Sequence, residues 1–228
     1  MSAPEQLPLA LKLRAGSSLE SFIPDGNELL LATLSGLGKG DGEQLFIWGE
    51  HGSGRSHLLE AKVREAAARG FYLPASEAVG LAPDLLEGLE QFDLVAIDDI
   101  DLLAGRPDWE VALFHLYNHL MEKGGSVLFS ATAAPDYSGF GLPDLRSRLA
   151  AGPVWRVAPL SENALVMLAR SRGAALGLDM SEETARYLVS RASRSAAAVC
   201  KLIEELDRLA LMHQRRLTTP FIRQLGVL

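Results

Sequence analysis

Eight consecutive residues are built to hold a phosphate. Gly49-Glu50-His51-Gly52-Ser53-Gly54-Arg55-Ser56 follows the spacing G-x-x-x-x-G-K-[ST], with Arg55 where lysine is usual. Glycines let the backbone fold so that successive N–H groups face one phosphate. A helix opening behind the loop adds the positive end of its dipole, and Ser56 offers a hydroxyl to Mg²⁺. Arg55 keeps the positive charge but replaces a compact ammonium with a planar fork, so its placement against a γ-phosphate is expected to be poorer. A second constellation is Asp98-Asp99, which closes the apolar run Leu94-Val95-Ala96-Ile97. Carboxylates at the C-terminal end of a strand lie in the crevice where open α/β sheets bind ligands. Asp98 is expected to hold Mg²⁺, directly or through water, and Asp99 to stand where a carboxylate polarises the attacking water. Aspartate is one methylene shorter than the glutamate more usual there. A misplacement of about 1 Å can cost ~10²-fold in rate, so intrinsic hydrolysis is expected to be slow. Ser130 and Thr132 follow the run Val127-Leu128-Phe129, where a polar side chain could meet the γ-phosphate, although such residues also end strands that bind nothing.

These groups need a frame. The run Gln44-Leu-Phe-Ile-Trp48 before the phosphate loop reads as a buried strand, and residues 57–69 as the helix after it, closed by Gly70 as a C-cap. Further strands are expected at 71–73, 92–97, 126–130 and 154–158, with a helix at 110–123 closed by Gly124. After Pro159 the pattern becomes helical only, over 161–173, 181–192 and 195–214. Ser161 and Ser181 suit N-caps, with carboxylates behind them in the first turn. Strands alternating with helices and then helices alone predict an α/β domain with a parallel sheet flanked by helices, followed by a small all-helical domain. The expected division is a tail over 1–16, the α/β domain over 17–159 and the helical domain over 160–228.

Composition narrows the partners. The 228 residues carry a net charge of −7, which disfavours a dedicated DNA-binding domain. The single cysteine, Cys200, excludes an internal disulfide and fits the reducing cytoplasm. It is expected to be a packed thiol. The apolar residues between Leu7 and Leu13 lack the flanks of a signal peptide, and no run approaches the ~20 apolar residues a membrane span needs. His115 and His119 have the i, i+4 spacing of zinc ligands, but the glutamate of H-E-x-x-H and a third ligand are missing.

The order of phosphate loop, paired aspartates and polar strand end, followed by Gly141-Leu-Pro-Asp-Leu-Arg-Ser-Arg-Leu149, resembles the bacterial DnaA family of AAA+ proteins over nearly the whole chain. Within it the likeness is to the short Hda type, through Gly54-Arg-Ser-His-Leu58, Trp109-Glu110 with Leu116-Tyr-Asn118, and Gln214-Arg-Arg-Leu-Thr-Thr-Pro-Phe221. The resemblance implies an AAA+ domain with a helical lid, and a protein that binds ADP (or ATP) with Mg²⁺. It implies attachment to the DNA polymerase III β sliding clamp and stimulation of ATP hydrolysis by DnaA, preventing re-initiation. The base would lie between Phe22 and Ile23 on one side and Pro159 on the other. Ser130 and Thr132 take the sensor 1 position. Arg148 takes the place of the arginine finger that reaches a neighbour's nucleotide. Gln6-Leu7-Pro8-Leu9-Ala10-Leu11 resembles the clamp-binding motif Q-L-x-L-x-[LF], with Gln6, Leu7, Leu9 and Leu11 as contacts on a peptide that Pro4 and Pro8 keep extended.

Two departures stand out. The lid's sensor 2 arginine is replaced by Ala197, with Arg194 one turn earlier as the candidate substitute. The sequence ends at Leu228, directly after the expected lid, so the helix-turn-helix module of DnaA, and with it sequence-specific DNA binding, is not expected. A homo-oligomer stays open. The alternative reading is an AAA+ ATPase that works on its own nucleotide, as a helicase loader does.

Overall fold

The computed structural model describes residues 16–38, 42–213 and 222. Within these, five strands form one parallel sheet: β1 (Gln44–Trp48), β2 (Gly70–Pro74), β3 (Leu94–Asp98), β4 (Ser126–Ala131) and β5 (Val154–Arg156), in the spatial order β2-β3-β4-β1-β5. β3 and β4 are buried along their whole length, as expected of parallel strands covered on both faces. The period of two then sorts their side chains. Phe46, Val95, Ile97, Val127 and Phe129 enter one core, while Leu45, Ile47, Leu94, Ala96 and Leu128 enter the other.

Helices cover both faces. α1 (Glu28–Gly36) and α2 (Arg55–Ala66) supply Leu30, Leu34, Leu58, Leu59 and Val63 to the second core. α4 (Pro107–Glu122) and α5 (Pro143–Leu149) supply Trp109, Leu113, Leu145 and Leu149 to the first, as does the short α3 (Ala75–Ala78) with Ala75 and Ala78. The lid follows as α6 (Glu162–Ala175), α7 (Glu182–Val189) and α8 (Ala196–His213), around its own core of Leu165, Ala169, Leu188, Ile203 and Leu206. Ser161 and Ser181 cap α6 and α7, accepting from the N–H groups of Ala164 and Thr184. No helix among the described residues is long and apolar enough to cross a membrane.

Gly70 departs from its expected part. It does not cap α2: it opens β2 with extended φ −107°, after a short 3₁₀ turn at Ala67–Arg69. Glycine is needed for space, because a Cβ there would stand 2.8 Å from the Val63 carbonyl oxygen. The expected strand at 92–97 starts at Leu94, with Phe92 ending a 3₁₀ turn, and the one at 154–158 stops at Arg156. Gly124 has φ +74° just beyond α4, as expected of a helix-ending glycine.

Candidate functional site: a cavity between phosphate loop and lid

The phosphate loop leaves β1 at Gly49 and runs into α2, whose first residue is Arg55. Gly52 and Gly54 have φ +79° and +102°, in the region that glycine enters at little cost. The two positions are also crowded from opposite sides. A Cβ on Gly54 would stand 2.9 Å from the Phe22 ring, and one on Gly52 3.1 Å from Ser195 Oγ and Ala197 Cβ. The loop is thus held between the N-terminal segment and the lid. Buried Ser17 ties that segment to α2 by donating to Glu60 (2.9 Å), and Phe22 packs against His57. On the other side the Ala197 N–H donates to the Gly52 carbonyl (3.2 Å).

The loop, the segment and the lid enclose a cavity of about 270 Å³. Ser21, Phe22 and Ile23 form one wall, residues 51–57 and Asp99 another, and Leu160, Leu168, Ala196, Ala197 and Cys200 a third. The loop residues Gly52, Ser53, Gly54, Arg55 and Ser56 all line it. Gly49 does not; it is buried at the foot of the loop, where a Cβ would meet the Val157 carbonyl at 3.0 Å. Pro159, expected beside the base, does not line the cavity, and Leu160 takes that place, with Leu168 one helix further on. Cys200, expected simply to pack, lies on the cavity wall one turn after Ala197.

The charges across the floor are coupled. Arg55 is only 5% exposed, and its Nη2 lies 2.8 Å from Asp99 Oδ1, so an ion pair joins the phosphate loop to the end of β3. Asp99 adopts left-handed backbone (φ 51°, ψ 47°), which aspartate tolerates better than most residues. Burial first, and then the neighbouring charge of Asp98, push its carboxyl above the ordinary range, while Arg55 pulls it down. Asp98 itself is buried and does not line the cavity. Both its oxygens are engaged: Tyr72 donates to Oδ2 (2.7 Å) and Ser130 to Oδ1, while the Ser130 oxygen accepts from the Asp99 N–H (2.9 Å).

Of the two polar residues expected after the run Val127-Leu128-Phe129, only Ser130 meets the aspartate pair. Thr132 turns to Asp101, to which both its N–H and its hydroxyl donate. Arg194 is exposed and not part of the cavity wall. Arg148 is exposed on α5, lies over the Tyr117 ring (5.9 Å to the centroid) and is likewise no part of that wall. His115 and His119 stack on the exposed side of α4, and no group of three metal-binding side chains occurs among the described residues. Gln6, Leu7, Leu9 and Leu11, and the stretch 214–221, lie outside the described residues.

The arrangement suits a phosphorylated ligand. Arg55 Nη1 and Ser53 Oγ are buried polar atoms without a partner, at the place where phosphate oxygens would supply one. The apolar wall of Phe22, Ile23, Leu160 and Leu168 suits a flat base. Tyr72, Glu110, Leu168 and Cys200 were not singled out as site residues by the sequence. Only Cys200 had a legible signal, its helical spacing from Ala197.

Comparison with known proteins agrees with this architecture. The family model of the bacterial DnaA ATPase domain matches residues 81–155, and that of the Hda lid domain residues 162–225. Domain III of the Thermotoga maritima replication initiation protein DnaA is 21% identical and superposes with a TM-score of 0.79, over 91% of this chain and 94% of that one. AMPPCP-bound DnaA from Aquifex aeolicus is 23% identical, with a TM-score of 0.69 over 88% of this chain and 67% of that one. The Thermotoga maritima RuvB Holliday junction branch migration motor is 16% identical with a TM-score of 0.69, over 91% and 70%. The chain thus spans nearly all of the isolated DnaA domain but about two thirds of the longer DnaA structures. With an AAA+ sheet of DnaA type leading into a lid of Hda type, this chain is an Hda/DnaA-like AAA+ protein.

Proposed function

We propose that this protein is a regulatory inactivator of DnaA: a nucleotide-bound adaptor that docks on the sliding clamp and completes the ATPase site of a DnaA molecule. The observation that carries the reading is the position of Arg148, exposed on α5 and apart from the chain's own cavity wall, in a protein whose own site is poorly equipped to work alone. Arg55 is engaged with Asp99, and the lid presents Ala197 where an arginine would touch phosphate. An arginine supplied in trans to phosphoryl transfer is worth roughly 10³–10⁵ in rate.

In this reading residues 17–159 and 160–228 form the AAA+ domain and the lid. ADP binds with its phosphates on Gly52, Ser53, Gly54, Arg55 and Ser56 and its base against Phe22, Ile23 and Leu160. Ser56 would offer its hydroxyl to Mg²⁺, and Asp98, whose oxygens here accept from Tyr72 and Ser130, would hold the ion directly or through water. The N-terminal tail holds the clamp through Gln6, Leu7, Leu9 and Leu11. The protein works in the cytoplasm, does not read DNA sequence itself, and can meet DnaA or a second copy through the same face.

The test is DnaA ATP hydrolysis, measured with clamp on DNA. Wild-type protein should stimulate it. Arg148→Ala should abolish the stimulation while leaving clamp and ADP binding intact, and Arg148→Lys should rescue poorly because lysine cannot make the planar two-point contact. Replacing Gln6, Leu9 and Leu11 with alanine should remove clamp binding. Absence of stimulation by the wild-type protein would refute the reading.

A further inference from the structure

Glu110 is a carboxylate buried away from the cavity. It sits in the first turn of α4 and is 3% exposed. Burying an ionised carboxylate is costly unless donors surround it. Glu110 Oε1 accepts from the N–H groups of Gly105 (2.8 Å) and Gly141 (3.1 Å), and Oε2 from that of Leu142 (2.6 Å). Gly105 ends the loop that starts at Asp99 and runs through the 3₁₀ turn Ile100–Leu103. Gly141 and Leu142 lead into α5, with Leu142 at its N-cap.

The helix α5 has seven residues, Pro143–Leu149, too few to hold a helix in water without outside support. Leu145 and Leu149 anchor its underside. Its two ends are tied to the same helix. Glu110 of α4 holds the start, and Tyr117 of α4, two turns further on, lies under Arg148 at the end.

We infer that Glu110 is the positioning residue for Arg148: its bonds to Gly105, Gly141 and Leu142 fix where α5 begins and hence where Arg148 points. The inference rests on the trans-arginine reading above. Glutamine at 110 keeps one acceptor oxygen and turns an NH₂ group toward backbone donors, so part of the clasp is lost and α5 can shift. A misplacement of about 1 Å at a catalytic group costs on the order of 10²-fold in rate. Arg148 lowers the Tyr117 pKa against the upward push of burial, so Tyr117 reports whether the arginine is still in place.

The experiment compares wild type, Glu110→Gln and Arg148→Ala in the clamp-dependent DnaA ATPase assay, in ADP calorimetry and by NMR titration of Tyr117. Glu110→Gln should lose stimulation by about 10²-fold with ADP affinity retained. Its Tyr117 pKa should rise, as in Arg148→Ala. If Glu110→Gln stimulates like wild type while Arg148→Ala does not, the positioning role is overturned. If Arg148→Ala itself still stimulates, the trans-arginine reading falls, and the Tyr117 titration alone decides whether Glu110 places the arginine. Should Glu110→Gln not fold, Leu142→Pro removes one donor at φ −73°, an angle proline accepts, and should show the same losses.

Discussion

Asp99 combines a half-buried position, a like-charged neighbour and a cationic partner in one side chain. Folding makes it hold its proton more tightly than the unfolded chain does. Between the ordinary value of 3.8 and its raised one, the folded state binds more protons, so stability falls as pH rises. The contribution is complete below 3.8 and lost above the raised value. The melting-temperature difference between wild type and Asp99→Asn should therefore decline with rising pH across that window. In parallel, Arg55→Met should move the Asp99 titration further up, read by NMR of the labelled carboxyl. Gly54 carries a different constraint. Alanine there must adopt φ +102° and push against the Phe22 ring. Such strain costs of order 1–3 kcal/mol, and Gly54→Ala should lower the melting temperature and weaken ADP binding together.

At the scale of elements, α8 meets the phosphate loop at Ala197, the residue expected from the resemblance to replace a lid arginine. The helix comes close enough for the Ala197 N–H to bond the Gly52 carbonyl, and small side chains at 195–197 permit it. Gly52→Ala would bring a methyl to 3.1 Å from Ser195 and Ala197 at a backbone angle alanine rarely adopts. The expected outcome is a lid displaced from the loop and weaker nucleotide binding, with the sheet domain still folded. Calorimetry together with amide exchange at Ala197 checks it; unchanged protection there would show that the contact tolerates the methyl.

For the whole molecule, the described lid core shares no residue with the two cores of the sheet domain. A few polar links join the parts, among them Ser161 N–H to Asp25 (2.6 Å) and Ala197 to Gly52. All three tryptophans, Trp48, Trp109 and Trp155, lie in the sheet domain, so their fluorescence reports on it alone. Leu206 is fully buried in the lid, and Leu206→Ala should cost about 2–5 kcal/mol there. Circular dichroism should then show an early loss of helix in urea while the tryptophan transition stays near its wild-type midpoint. ADP bridges both walls of the cavity in the proposed complex, and adding it should draw the two transitions together. Coincident transitions in Leu206→Ala without nucleotide would mean that lid and sheet unfold as one unit.

What the sequence determined by itself was local chemistry. Glycine spacing between a strand and a helix, aspartates at a strand end and serines before acidic first turns each depend on neighbours a few residues away. Those signals were enough for the parallel sheet, its flanking helices and the helical lid; residues 52–56 and Asp99 line one cavity, whereas Gly49 and Asp98 do not. Tertiary structure decided what depends on partners far along the chain. Ser130 lies inside β4 and meets Asp98, whereas Thr132 has left the strand and turns to Asp101. Leu160 rather than Pro159 walls the cavity because the approach of the lid, not the local run, sets which residue faces inward. Gly70 answers a carbonyl seven residues back on α2 rather than a helix end. Glu110 draws together three backbone donors, two of them some thirty residues away, and no local period records a carboxylate whose partners are main-chain groups brought to it by folding.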